Sequence, residues 1–114
     1  MNIDELAKSI RLISPESIVQ KLADILINWK TDKTTAKELE SRVERYIGNT
    51  WIQKEEDHEI IYSLWSKFRE DAIRHIGGMT MNERLYYFGL FDEFDNCSTE
   101  TERLKIYKKL HGNP

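Results

Sequence analysis

Residues 14–30 read SPESIVQKLADILINWK, and the reading of this stretch decides the fold. Ser14 followed by Pro15 signals a helix start, with the serine as cap and the proline at the first helical position, where its missing N–H is not needed. From there Ile18, Val19, Leu22, Ala23, Ile25, Leu26, Ile27 and Trp29 recur largely at spacings of three and four, the period of a helix. They cover more than one narrow stripe, as a helix flanked by several neighbours requires. The segment is predicted to be a central helix running to about Lys30.

Upstream, Asn2 and Glu5 form a capping box for a first helix with Ile3, Leu6, Ala7, Ile10 and Ile13 on one face. Downstream, Thr35 and Glu38 cap a third helix whose narrow apolar edge, Leu39, Val43, Tyr46 and Ile47, places it at the surface. A fourth helix is expected from Asn49 or Thr50 to Ile76, stopped by Gly77-Gly78. Thr80 and Glu83 start a fifth, predicted to continue to Asn96. A sixth begins near Ser98 or Thr99 and is anchored by Leu104, Tyr107 and Leu110, with Glu102 in its first turn and Lys108 and Lys109 in its last. That charge order suits the helix dipole. No stretch sustains strand alternation, no segment repeats, and no linker divides the chain. The fold class expected is all-α: one domain over residues 1–114, a compact antiparallel bundle of about six helices.

The 114 residues are 39% apolar and 32% charged, within the globular range. A folded chain of this size removes about two-thirds of its unfolded surface from water, enough for a core without metal or disulfide. Cys97 is the one cysteine, which excludes an intrachain disulfide and suits a reducing compartment. Asp4, Glu5, Lys8 and Arg11 interrupt the first apolar residues, so a signal peptide is not expected, and no apolar run reaches membrane-spanning length. Cytoplasmic residence without membrane attachment is the expectation. A formal charge of −3 argues against direct nucleic-acid binding, which requires a lysine and arginine face, and permits a basic protein partner.

Catalytic and metal patterns are weak. Glu55 and His58 have the Glu-x-x-His spacing of a carboxylate-bridged metal site, but neither His75 nor His111 supplies the second pair that such a site needs. The plainer reading is a solvated first turn in which Glu55, Glu56, Asp57 and Glu59 favour the helix dipole. Cys97 lies among Glu93, Asp95 and Glu100, surroundings that raise a thiol pKa and blunt its nucleophilicity. No glycine-rich phosphate loop, nucleophile elbow or paired-cysteine zinc spacing occurs. No cofactor is expected, and catalysis is not.

The richest segment is Met81–Asp95, MNERLYYFGLFDEFD. Successive helical residues turn by about 100°, so Tyr86, Tyr87 and Phe88 cannot share one face. The plain account gives the outward rings to another helix of the bundle; the alternative is a binding surface. Between residues 80 and 102, Glu83, Asp92, Glu93, Asp95, Glu100 and Glu102 face the single base Arg84. Aromatic rings bordered by carboxylates have the make-up of a protein interface for a basic partner. Arg103, Lys105, Lys108 and Lys109 follow, so the surface is expected to be polarised unless those bases pair with the acids inside the fold.

The pattern Asn82-Glu83-Arg84-Leu85, Gly89-Leu90 and Asp92-Glu93-Phe94-Asp95 resembles a stretch recurring in small helical bacterial proteins, some of which are immunity proteins. Such proteins neutralise the cell's own contact-dependent or secreted toxin, commonly a nuclease. The resemblance is confined to residues 82–95. The chain departs from the nuclease-colicin immunity family, which has a Tyr-Tyr-Pro turn: here Tyr86-Tyr87 is followed by Phe88, and no binding residue is carried over.

The resemblance and the residue pattern together imply a cytoplasmic, non-catalytic immunity protein, monomeric or weakly dimeric, that binds a cognate basic toxin. Its expected contact residues are Tyr86, Tyr87, Asp92, Glu93 and Asp95, with Glu55, Glu56, Asp57 and Glu59 as a second patch. A self-associating structural or adaptor bundle, whose aromatic segment meets another copy of itself, and an enzyme of unrecognised type stay open as alternatives.

Overall fold

A computed structural model describes all 114 residues. Seven α-helices follow one another: α1 Ile3–Ile13, α2 Ser17–Trp29, α3 Ala36–Gly48, α4 Glu55–Phe68, α5 Met81–Tyr87, α6 Phe91–Asp95 and α7 Glu100–Lys109. A π-helical turn, Arg69–Ile73, and a 3-10 turn, Ile76–Gly78, separate α4 from α5. There are no strands. The all-helical bundle expected from the periodicity is the fold observed.

The first two helices pair antiparallel: Arg11 reaches Asp24 at 2.6 Å near one end, and Lys30 reaches Asp4 at 3.0 Å near the other. Ile3, Leu6 and Ile10 face Val19, Leu22 and Leu26 across a seam sealed from solvent. α4 lies against α1 and α3 against α2, so α1 and α2 together form the middle of the bundle, and the wide apolar surface of α2 is divided between α1 and α3. The core is closed by rings. Trp29 meets Phe88 at 5.2 Å and Phe88 meets Phe68 edge-on at 5.6 Å; both separations lie in the favourable range for tilted aromatic pairs.

Three expected helix boundaries move, each for a local reason. α2 begins at Ser17, not at Pro15. The Ser14 hydroxyl accepts from the Glu16 amide, and Gln20 Nε2 donates back to the carbonyls of Arg11 and Ser14. The serine thus shapes the turn, and the glutamine satisfies carbonyls at the end of α1.

α4 begins at Glu55 rather than at Asn49 or Thr50 and is regular only to Phe68. Asn49 instead closes α3, its amide donating to the Arg45 carbonyl, while the Gln53 amide is held by Glu16. Beyond Phe68 the ladder widens, and the Arg74 amide bonds to the carbonyl five residues back, Arg69. The extra residue per turn brings the neighbours Ala72 and Ile73 both into the core, with Ile76 after them.

The expected fifth helix is two. After Tyr87 the Gly89 amide donates to Tyr86 and the Leu90 amide to Leu85, with Gly89 at φ +61°. This is a Schellman stop, completed by burial of Leu85 and Leu90. A Cβ at residue 89 would lie 2.5 Å from Asp4 Oδ2 and 3.3 Å from Lys30 Nζ. Gly89→Ala therefore combines left-handed strain with displacement of an ion pair. It is expected to destabilise the fold by about 1–2 kcal/mol, read as a lowered midpoint in urea. α7 also departs from expectation: Leu104 is exposed, and Lys109 with Leu110 takes the buried place.

Candidate functional site

Phe88 points inward with no exposure, Tyr86 points outward and is 47% exposed, and Tyr87 lies half-buried between them. The two tyrosine rings meet edge-on, 5.4 Å apart. Helical rotation therefore divides this run of three aromatics between core and surface. Tyr87 also borders an open cleft of about 600 Å³, lined by Asp71, Arg74, His75, Gly77-Gly78, Met79 and Glu83.

The short helix α6 carries the neighbouring carboxylates. Asp92 and Asp95 are exposed, whereas Glu93 is half-buried and its Oε2 has no hydrogen-bond partner. α6 is held through Phe94, whose ring meets Tyr107 of α7 edge-on at 5.7 Å. Phe91 is exposed beside it. The Cys97 thiol donates to the Glu93 carbonyl at 3.2 Å, a local contact one helical turn long.

The second patch occupies the first turn of α4. Glu55, Glu56 and Glu59 are exposed and Asp57 is half-buried. No side chain caps this helix end, so the carboxylates act on its free N–H groups through the dipole alone. The fourteen residues of α4 rise about 20 Å, and Phe68 at its far end contacts Phe88. The two acidic patches thus stand on different helices, one on the first turn of α4 and one on α6, which follows the helix that Phe88 ends.

None of these nine residues is engaged in an ion pair. The compensating bases do not reach them. Arg84, the one base between residues 80 and 102, is buried, its Nε donating to the Ile76 carbonyl at 3.0 Å. Lys109 is turned inward to Asp32, while Arg103, Lys105 and Lys108 stay in solvent without a carboxylate partner. The pairing of these bases with the neighbouring acids that the sequence left open is absent.

His58 shares a surface depression with Glu44, Ile47, Gly48, Thr50 and Tyr62, and no group of three His, Cys, Asp or Glu side chains gathers anywhere to hold a metal ion. No helix is long and apolar enough to cross a membrane.

Two features escaped the sequence reading. One is the outer edge of α4, where Ile60, about half exposed, lies with Ser63 and Lys67 in a shallow depression beside Leu64, which the periodicity assigned to the inner face and which is half-buried against the core. Ile60 lies one position before the core residue Ile61, and the stronger core period masked it.

The other is a polar knot at the end of α7. Lys109 Nζ donates to the carbonyls of Asp32 and Thr34 at 2.9 and 2.8 Å, pairs with the Asp32 carboxylate at 3.1 Å, and sits 4.0 Å from the centre of the Trp29 ring. Burial pushes the Lys109 ammonium pKa down, and Asp32 pushes it back. Burial would likewise raise the pKa of Asp32, but hydrogen bonds from the Thr34 hydroxyl and amide, from Arg42 and from Lys109 outweigh it and hold the carboxyl well below its usual range. No local pattern announces a contact between Lys109 and a loop 75 to 77 residues earlier in the sequence.

No family model, curated protein or solved structure matches this chain.

Proposed function

We propose that this protein is an immunity protein that binds a basic toxin of its own cell and neutralises it by occupation, not by catalysis, in the cytoplasm. The observation that carries the reading is the surface of α5 and α6: Tyr86 projects into solvent from α5, Asp92 and Asp95 are exposed on the adjoining α6, and no ion pair engages those carboxylates. A tyrosine of this kind loses little conformational entropy when it anchors in a partner pocket. The carboxylates steer a cationic protein towards it and repel nucleic acid. Neutralising an enzyme requires only a rigid surface that covers the substrate path, and the ring-packed core behind Phe88 supplies the rigidity.

The test uses the whole chain as bait, wild type beside Asp92→Lys/Asp95→Lys; Glu93 stays unchanged because it is half-buried. Wild type is expected to retain a basic protein whose expression alone arrests growth, and co-expression of wild type restores growth. The double variant is expected to bind that protein about 30-fold more weakly at low salt, the equivalent of about 1 kcal/mol for each reversed charge. Equal retention by both baits, or a retained protein without toxicity, would contradict the proposal.

A second reading, self-association, is favoured by the outer edge of α4. Ile60 and Leu64 lie between acidic Glu59 and basic Lys67, so an antiparallel pair of α4 helices would oppose unlike charges. A molecular mass that stays monomeric by light scattering up to millimolar concentration would remove this reading.

A further inference from the structure

α7 meets the rest of the protein chiefly through its last turn. Residues 100–105 are exposed, Ile106 and Tyr107 are half-buried, and only Lys109 and Leu110 are fully enclosed. The helix ends as α5 does, in a Schellman stop: the Gly112 amide donates to the Tyr107 carbonyl at 2.8 Å and the His111 amide to the Lys108 carbonyl at 3.2 Å. Glycine normally takes the left-handed position of this motif. Here it is His111, at φ +55°, the one non-glycine residue with positive φ in the chain.

The strained position has a compensating contact. His111 Nε2 accepts a hydrogen bond from the backbone N–H of Lys37 at 3.2 Å, across 74 residues of sequence. Lys37 is the second residue of α3, so this N–H is one of those a helix start leaves without an internal partner. An accepting Nε2 carries no proton, which fixes the neutral ring with its hydrogen on Nδ1. Protonation would set N–H against N–H. It would also place a cation beside the side chains of Lys37 on α3 and Arg84 on α5, opposed only by Glu38 on α3. The end of the helix is closely packed here: a Cβ on Gly112, the next residue, would lie 2.8 Å from Arg84 Nη1 and 3.2 Å from Tyr107.

We propose that His111 is a pH-operated latch: as the neutral ring it caps α3 and holds the end of α7 in place, and on protonation it releases that end. Burial, together with Lys37 and Arg84, holds the imidazole pKa below its ordinary value in the folded chain. The unfolded chain therefore binds the proton more readily. The contribution of the latch is complete above the unfolded value of about 6.5 and is lost as pH falls through the lower folded value.

Hydrogen exchange of the whole protein at pH 7.5 and pH 5.0, corrected for intrinsic exchange rates, tests this. In the wild type the Lys37 amide and the amides of residues 104–110 are expected to lose protection about tenfold at the lower pH, the scale of one hydrogen bond. The amides of Leu22–Leu26 in α2 are expected to keep theirs. In His111→Asn, whose side chain tolerates the left-handed backbone and does not titrate, the loss is expected to vanish, although His58 and His75 remain. Protection independent of pH in the wild type, the same loss in His111→Asn, or a loss spread equally over α2 would each overturn the latch.

Discussion

Phe88→Ala is expected to destabilise the protein by about 3–5 kcal/mol, the range for removing a fully enclosed aromatic ring. The Phe88 ring stands between Trp29 of α2 and Phe68 at the end of α4, and it shows no surface to solvent. Its removal opens a cavity where three elements meet, at a place the Schellman stop of α5 pins on one side. The surroundings cannot collapse without moving Leu90 and the Asp4–Lys30 pair that lies over Gly89. For a domain of this size the loss corresponds to a fall in Tm of roughly 15 °C or more. Tyr86→Ala, two residues earlier, is expected to change stability by less than about 1 kcal/mol, because its ring is half in solvent already. Thermal unfolding of the two variants side by side measures the division of this segment between core and surface. Equal losses would mean that Tyr86 is held by the fold and is not free to anchor a partner.

The second large effect is expected from Lys109→Met, which keeps the volume and apolar stem of the side chain and removes its charge. The carbonyls of Asp32 and Thr34 lose their donor, the Asp32 carboxylate loses one of its two bases, and Trp29 loses the cation over its ring. Removing one partner of a fully buried ion pair costs about 3–5 kcal/mol. Asp32 keeps Arg42 and is about a third exposed, so the expected value here is about 2–3 kcal/mol, read from the urea midpoint at unchanged slope. A change below about 0.5 kcal/mol would show that water replaces the ammonium without loss.

Much of the fold was legible because it rests on short-range chemistry. The capping boxes Asn2/Glu5, Thr35/Glu38 and Thr80/Glu83 all form with both reciprocal hydrogen bonds, and the spacing of Leu22, Leu26 and Trp29 fixed the inner face of α2. The errors fall where a longer-range contact competes with a local preference. Ser14 looked like a cap, but its hydroxyl accepts from the Glu16 amide within the turn, and α2 starts at Ser17 with no side-chain cap. Gly89 was passed over inside an apolar run, although its left-handed backbone is the signal that splits the segment. The π-helical turn has no local marker; the demand of the core for both Ala72 and Ile73 produces it.

The candidate site was legible in kind. The spread of Tyr86, Tyr87 and Phe88 around a helix required that some ring face away from the core, and Tyr86 does. Whether the carboxylates were neutralised depended on where Arg84 and Lys109 turned, and both turn inward through contacts with carbonyls distant in sequence. Pattern reading cannot reach such contacts. His111 shows the same limit, since a histidine near a chain end carries no mark of a helix 74 residues away.

Exposed and unpaired carboxylates stand on two separate helices, α4 and α6. For an approaching cationic macromolecule both are points of attraction, and charge alone does not choose between them. Only the second adjoins the helix that bears Tyr86. The choice between the two is therefore made late, at contact distance, by the shape of an aromatic ring.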